Sequence, residues 1–271
     1  MSNYKFIDEK KKHVHTLNGE PLYGTSTVVS ILNKPLTWWA AGMAVGTLGW
    51  TATQSDPDMR VEVAKIALEG LKDLTPAEYL KRLDLAYKAH NEKKKDAAVG
   101  GTDMHAELEK YVLKMISDQD GKPLLLNDAD EKDETWERVQ KFAKWAHLNI
   151  EKFLFAEAHT YSEKYWVGGI IDCGARMKDG RMALLDFKSS KEAYYSQMVQ
   201  VAGYALQIEE SGTFDANGTQ TMPPMEIDEL IVVALGNDEI KTRAAQNVKD
   251  LKTAFIGCLE NYKLSKAFEE K

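Results

Sequence analysis

Asp172, Asp186 and Lys188 stand inside two segments that otherwise read as buried strands, Gly168-Gly169-Ile170-Ile171-Asp172 and Ala183-Leu184-Leu185-Asp186-Phe187-Lys188. Taking a carboxylate or an ammonium out of water is costly unless the charge is paired or meets a cation. Strand alternation puts Asp186 and Lys188 on one face, with Leu185 and Phe187 on the other. A metal site is the economical explanation, and a partly buried ion-pair cluster at a strand end is the structural alternative. Two acids on adjacent hairpin strands, with a lysine two residues past the second, also match the needs of metal-assisted phosphodiester hydrolysis. The acids offer hard oxygen ligands to Mg²⁺ or Mn²⁺, and the cation polarises the phosphate and lowers the pKa of a bound water. The lysine orients that water or offsets charge developing on phosphorus.

Other residues can join this chemistry or simply build structure. His105 shares the apolar face of a helical pattern with Leu108 and Val112, and Glu109 is one turn on; it reads as a hydrogen-bonded core residue or as a metal ligand. Gln200 and Tyr204 are one turn apart and share a helix face. Trp38, Trp39 and Trp50 are core residues or platforms on which unpaired bases stack.

The elements that must position these residues follow from periodicity. Thr75-Pro76-Ala77-Glu78 predicts an N-cap, a proline at the first helical position and a reciprocal acidic cap, opening a helix towards Lys95. Gly100-Gly101 predicts a break, after which Thr102 caps a second helix carrying Met104, His105, Leu108, Val112 and Ile116. A third helix is expected over 130–149. From about 152 to 187 the period changes to a strand and then a hairpin, with Asp179-Gly180 as the tight turn. A helix over 194–209 and a polar loop through Gly218 and Pro223-Pro224 follow. Leu230-Ile231-Val232-Val233-Ala234-Leu235 then reads as a strand covered on both faces, and a helix over 244–268 closes the chain. The order helix, three strands, helix, strand predicts an α/β protein with a mixed sheet flanked by helices.

The 271 residues can bury a full core, and no internal repeat or low-complexity linker divides them. The most apolar stretch, around 38–50, is short and glycine-rich, and the N-terminus lacks a secretory pattern, so neither a membrane span nor export is expected. Cys173 and Cys258 have no metal-binding spacing, which gives no support for a zinc site, an iron–sulfur cluster or a disulfide framework; Cys173 reads as a small core hydrophobe. A net charge of -7 argues against coating nucleic acid by bulk charge. Lys10-Lys11-Lys12 and Lys93-Lys94-Lys95 remain as local basic patches or plain solvated surface.

Taken in order, Gly101-Thr102-x-x-His105, Glu157, Gly169-x-x-Asp172, Asp186-x-Lys188 and Gln200-x-x-x-Tyr204 resemble the RecB-like branch of the PD-(D/E)XK nuclease superfamily, phage-type exonucleases in particular. The resemblance covers about 100–235, and the 25–39 region also looks like the N-terminal part of phage members. It implies a restriction-endonuclease-like core of order α-β-β-β-α-β over 100–271, with an N-terminal helical region over 1–99 packed on it. It implies that His105, Asp172 and Asp186 hold Mg²⁺ or Mn²⁺, that Asp172, Asp186 and Lys188 are catalytic, and that Gln200 and Tyr204 belong to a DNA-side motif. Glu157 stands where the family often has an accessory acid, with Glu163 close enough to leave that role open. Two cysteines cannot supply the four that hold the iron–sulfur cluster of some members, so that subgroup is disfavoured. The activity implied is metal-dependent hydrolysis of DNA from an end, in the cytoplasm of a bacterium or phage-infected cell. A recombinase, a single-strand-binding protein or a further copy of the chain stand as additional partners. The alternatives are an endonuclease of the same superfamily and a non-catalytic DNA-binding recombination protein.

Overall fold

A computed structural model describes residues 3–9, 12–33, 37–49, 57–126, 134–236 and 239–269. The chain divides into two compact units, residues 1–33 with 101–271 and residues 34–100. In the larger unit the chain opens with strands β1 (Tyr4–Glu9), β2 (Lys12–Leu17), β3 (Glu20–Pro21) and β4 (Tyr23–Gly24), then helix α1 (Thr25–Val29) and one 3₁₀ turn, Ser30–Leu32. The smaller unit contains α2 (Thr37–Thr47) and α3 (Pro57–Glu69), and the division falls within α4 (Pro76–Asp118). The larger unit continues with α5 (Glu134–Asn149), β5 (Ile150–Ser162), β6 (Val167–Met177), β7 (Met182–Lys188) and α6 (Tyr195–Ser211). It ends with β8 (Thr213–Phe214), β9 (Gln220–Met222), β10 (Glu229–Ala234), β11 (Lys241–Ala245) and α7 (Val248–Glu269).

The core is a mixed, mostly antiparallel sheet in the order β11-β10-β7-β6-β5-β8-β9, with β4 added alongside β6. Strands β6 and β7 form the expected hairpin, and β10 lies parallel to β7. One sheet face buries Leu184, Leu230 and Val232 against α1, α6 and α7. The other buries Ala183, Leu185, Phe187, Ile231 and Val233 against α5 and the His105 end of α4. The continuous apolar run of β10 is the signature of a strand covered on both sides.

Several expectations differ from this architecture. The described residues before Thr25, in a stretch read as part of a helical region, build strands β1 to β4, and β1, β2 and β3 make a small antiparallel sheet of their own. Helix α4 runs unbroken through Gly100-Gly101, so Thr102 lies inside the helix and not at the start of a second one. Two glycines cost a helix only about 2 kcal/mol, which strong helix formers on both sides offset. The predicted start of α4 is present as drawn: Glu78 accepts from the Thr75 N–H at 2.8 Å and the Glu78 N–H donates back to Thr75 Oγ1 at 3.3 Å. Strand β11 takes residues 244 and 245 from the expected closing helix. Cys173 and Cys258 are both buried and free. No described helix is long and apolar enough to cross a membrane.

Candidate functional site

Strand β5 pairs β6 with Ala156 opposite Cys173 and Ala158 opposite Ile171, which leaves Glu157 facing Asp172 across the ladder. In a regular strand Ala156 and Ala158 would share a face. Here Ala156 and Cys173 pack on the α4–α5 side, while Ala158 and Ile171 pack on the α6–α7 side. Both strands therefore switch faces at one register position, the position of the two acids. The backbone records the switch, because Glu157 has φ 44°, in the left-handed region. A non-glycine residue held there costs roughly 1–3 kcal/mol and persists where its surroundings impose it, often at functional sites.

The neighbouring ladder changes at the same level. Pairing of β6 with β7 extends to Cys173 opposite Leu185 and stops; beyond it, β4 takes over that edge of β6 at Val167 and Gly168. In the interval the Phe187 N–H donates to Asp172 Oδ2 at 2.6 Å, so the side chain of Asp172 satisfies a donor that the ladder would otherwise use. His105 reaches this opening from α4, its Nδ1 3.7 Å from Asp172 Oδ2 and its ring edge-on to Phe187.

His105, Glu157 and Asp172 each offer a ligand atom within 4.8 Å of the others. Burial pushes the Glu157 carboxyl up, Asp172 and Glu109 push it further, and it reaches about 7. Burial pulls His105 down, but the Asp172 carboxylate beside it outweighs that and leaves the imidazole raised. Facing acids on adjacent strands repel, and an imidazole beside them completes a nitrogen and oxygen donor set. Strained backbone, converging carboxylates and the proton that Glu157 retains all suit a divalent cation in that proton's place, so these residues fit a metal ion.

Asp186 and Lys188 lie beside the trio on the face turned towards α6. Lys188 Nζ is 2.6 Å from Asp186 Oδ2, and Asp186 is only 1 % exposed. Burial raises the Asp186 carboxyl against the pull of Lys188. Burial works to lower Lys188, but Asp186 and Asp172 hold it raised and charged. The sequence-based ligand set of His105, Asp172 and Asp186 therefore differs from the trio brought together here, in which Glu157 stands in the cluster and Asp186 is engaged with Lys188. Glu163 is exposed beyond the end of β5, away from this pairing.

Gln200 and Tyr204 share a face of α6 as expected, with Gln200 Nε2 donating to the Tyr204 hydroxyl at 2.9 Å. Tyr204 is buried against Gly169, where an added Cβ would lie 2.4 Å from its ring. Only Gln200 is thus free to face a ligand, and Tyr204 braces it. A polar cavity of about 310 Å³ opens here, lined in part by Ser26, Ser30, Asn33, Lys188, Gln197 and Gln200. In the smaller unit Trp38 is 91 % exposed and Trp39 partly so. Trp50, Lys10 and Lys11 lie outside the described residues, as do the side chains of Lys12, Lys93, Lys94 and Lys95.

Compared with models of known protein families and with curated protein sequences, the chain has no match.

The raised carboxyls make a pH prediction. A carboxyl raised by folding contributes stability that is complete below its unfolded pKa and lost as pH rises through the folded one. For Glu157 that window runs from its ordinary range up to about 7. A cation at the trio must displace the Glu157 proton at low pH and meets its free carboxylate above 7. Saturating Mn²⁺ should therefore raise the melting temperature more at about pH 8 than at about pH 5.5, and Glu157→Gln should flatten the difference. Thermal melts with and without metal measure this; an equal rise at both pH values would remove Glu157 from the site.

Proposed function

We propose that the protein is a metal-dependent deoxyribonuclease with a restriction-endonuclease-like core of the RecB-like branch, hydrolysing DNA phosphodiester bonds from an end. The observation that carries this reading is the facing pair of Glu157 and Asp172, where both strands switch faces, with His105 beside them and Lys188 on the adjacent strand. An ion-pair cluster serving stability alone has no use for three acids, one on strained backbone, around a single lysine.

Bound at His105, Glu157 and Asp172, Mg²⁺ or Mn²⁺ would polarise a phosphate oxygen and make a bound water more acidic. An imidazole donor suits Mn²⁺ better than an all-oxygen site would. Lys188 carries the positive charge that orients the attacking water and offsets charge building on phosphorus. Asp186 keeps that ammonium protonated and aimed. Gln200, braced by Tyr204, faces the cavity beside Lys188 and can donate to a phosphate or base of the strand being cut.

The acidic chain offers little electrostatic grip on continuous duplex. A threaded end brings each phosphate to the site in turn without many basic contacts. With Mn²⁺, linear DNA should be degraded progressively to short products while covalently closed circles survive. Gel analysis of linear and circular substrates, single- and double-stranded, decides this. Circles cut as fast as linear forms would replace the exonuclease with an endonuclease of the same chemistry, and no cleavage of any form would overturn the nuclease reading.

A further inference from the structure

Strand β6 has one exposed length of edge at the site. Gly168 pairs with Gly24 of β4 and Cys173 pairs with Leu185 of β7, but along that edge residues 169–172 have no strand partner among the described residues. The other edge of this stretch is paired with β5 at Gly169, Ile170 and Ile171, so on the β7 side the strand bearing Asp172 depends on what packs against it. Side chains pin the gap at both ends. At the Asp172 end, its own carboxylate accepts from the Phe187 N–H. At the other end, the Thr25 hydroxyl donates to the Gly168 carbonyl at 3.0 Å and accepts from Gln207 Nε2 at 2.7 Å.

Thr25 is 1 % exposed and touches everything that meets there. A Cβ added at Gly169 would lie 2.9 Å from its Oγ1, and one added at Gly203 of α6 would lie 2.8 Å from its methyl. Gln207 also donates to the Gly203 carbonyl at 2.9 Å, while its own Oε1 is buried with no partner among the described residues. Leaving an amide oxygen unsatisfied costs about 1–3 kcal/mol, and an apolar pair of similar shape would spare it. A purely packing role for Thr25 and Gln207 does not account for that cost. The directional chain from Gln207 through Thr25 to Gly168 does, because it sets where β6 lies against α6, which carries Gln200 and Tyr204.

We propose that Thr25 is a positioning residue, which through Gly168 fixes the open edge of β6 and so aligns Asp172 with His105 and Glu157 on one side and with Gln200 and Lys188 on the other. The proposal rests on the metal-site reading above, yet its first measurement needs no metal. Amide hydrogen exchange of the metal-free protein should show Thr25→Val, which keeps the shape and removes the hydroxyl, losing protection at residues 169–172 but not in β10. Thr25→Ser, which restores the hydroxyl, should recover it. Mn²⁺ titration by calorimetry should give about tenfold weaker binding in Thr25→Val, the size expected when support behind a ligand is removed, and near-normal binding in Thr25→Ser. On linear DNA the loss should fall on kcat with KM little changed.

Wild-type exchange and Mn²⁺ affinity in Thr25→Val overturn the proposal, as does an equal loss in Thr25→Ser, which would make the residue's shape the cause. Should Thr25→Val fail to fold, Gln207→Met removes the amide that holds the Thr25 hydroxyl and so its aim at the Gly168 carbonyl. It should show the same direction of change, and wild-type behaviour there overturns the proposal too. A wild-type protein that cuts no DNA would defeat the nuclease reading and leave the exchange result to judge Thr25.

Discussion

Asp172→Asn will bind Mn²⁺ more than about 100-fold more weakly than the wild-type protein and will lose DNA cleavage while remaining folded. The loss follows from its place among three groups whose ligand atoms lie within 4.8 Å, where a neutral amide is a poor substitute for a hard anionic oxygen. The fold survives because the amide oxygen can still accept from the Phe187 N–H. Metal-free Asp172→Asn should even gain stability near pH 8, since the charge facing Glu157 is gone and the Glu157 carboxyl falls back towards its ordinary range. Asp186→Asn is the informative comparison. Asp186 is engaged with Lys188 outside the trio, so that variant should keep Mn²⁺ affinity within a few fold and still lose turnover. Calorimetry and thermal melts measure both; if Asp186→Asn loses the metal as Asp172→Asn does, the ligand set is His105, Asp172 and Asp186, the one the family resemblance implies.

That comparison separates what residue spacing can express from what only a folded backbone can. The alternation in Leu185-Asp186-Phe187-Lys188 was legible because burial on two faces imposes a strict period, and the structure sends Leu185 and Phe187 one way and the ion pair the other. The β6–β7 turn, the capping box at Thr75 and the doubly covered β10 were legible for the same local reasons. Glu157 was visible only as an acid near the right place. Its membership in the trio depends on two register shifts earlier in β5 and on a left-handed φ, and neither leaves a mark in a run such as Phe155-Ala156-Glu157-Ala158. Thr25 was invisible as a site residue, because its partners are 143 and 182 residues away.

The N-terminal strands were missed for a different reason. Lys5, Asp8, Glu9 and the lysines at 10–12 mask a short alternation whose buried members include Tyr4, His15 and Leu17. One signal was present: Asn18-Gly19, with φ 54° and 89°, is the dipeptide preferred where two strands reverse direction, and it joins β2 to β3. Gly100-Gly101 erred the opposite way, a break signal overridden by the helix formers around it.

Lys188→Met will lower the single-turnover cleavage rate by about two to four orders of magnitude, the usual loss when a group that handles a proton or a developing charge is removed. This substitution has a second effect that must be separated from the first. It strands Asp186, which is almost fully buried, without its cation, and breaking such a pair typically costs about 3–5 kcal/mol. Asp186 would answer by taking up a proton, since burial already raises its carboxyl and the opposing pull of Lys188 would be gone. The double variant Asp186→Asn, Lys188→Met removes the stranded charge, so its melting temperature should recover most of what Lys188→Met loses. Its cleavage rate should not recover, because nothing restores the ammonium beside the trio. Mn²⁺ affinity should stay near that of the wild type in both variants, because neither alters His105, Glu157 or Asp172. A double variant that regained cleavage along with stability would show that Lys188 serves only to neutralise Asp186, and the developing charge on phosphorus would then need another partner in the cavity, such as Gln200, a donor of α6 that lines it.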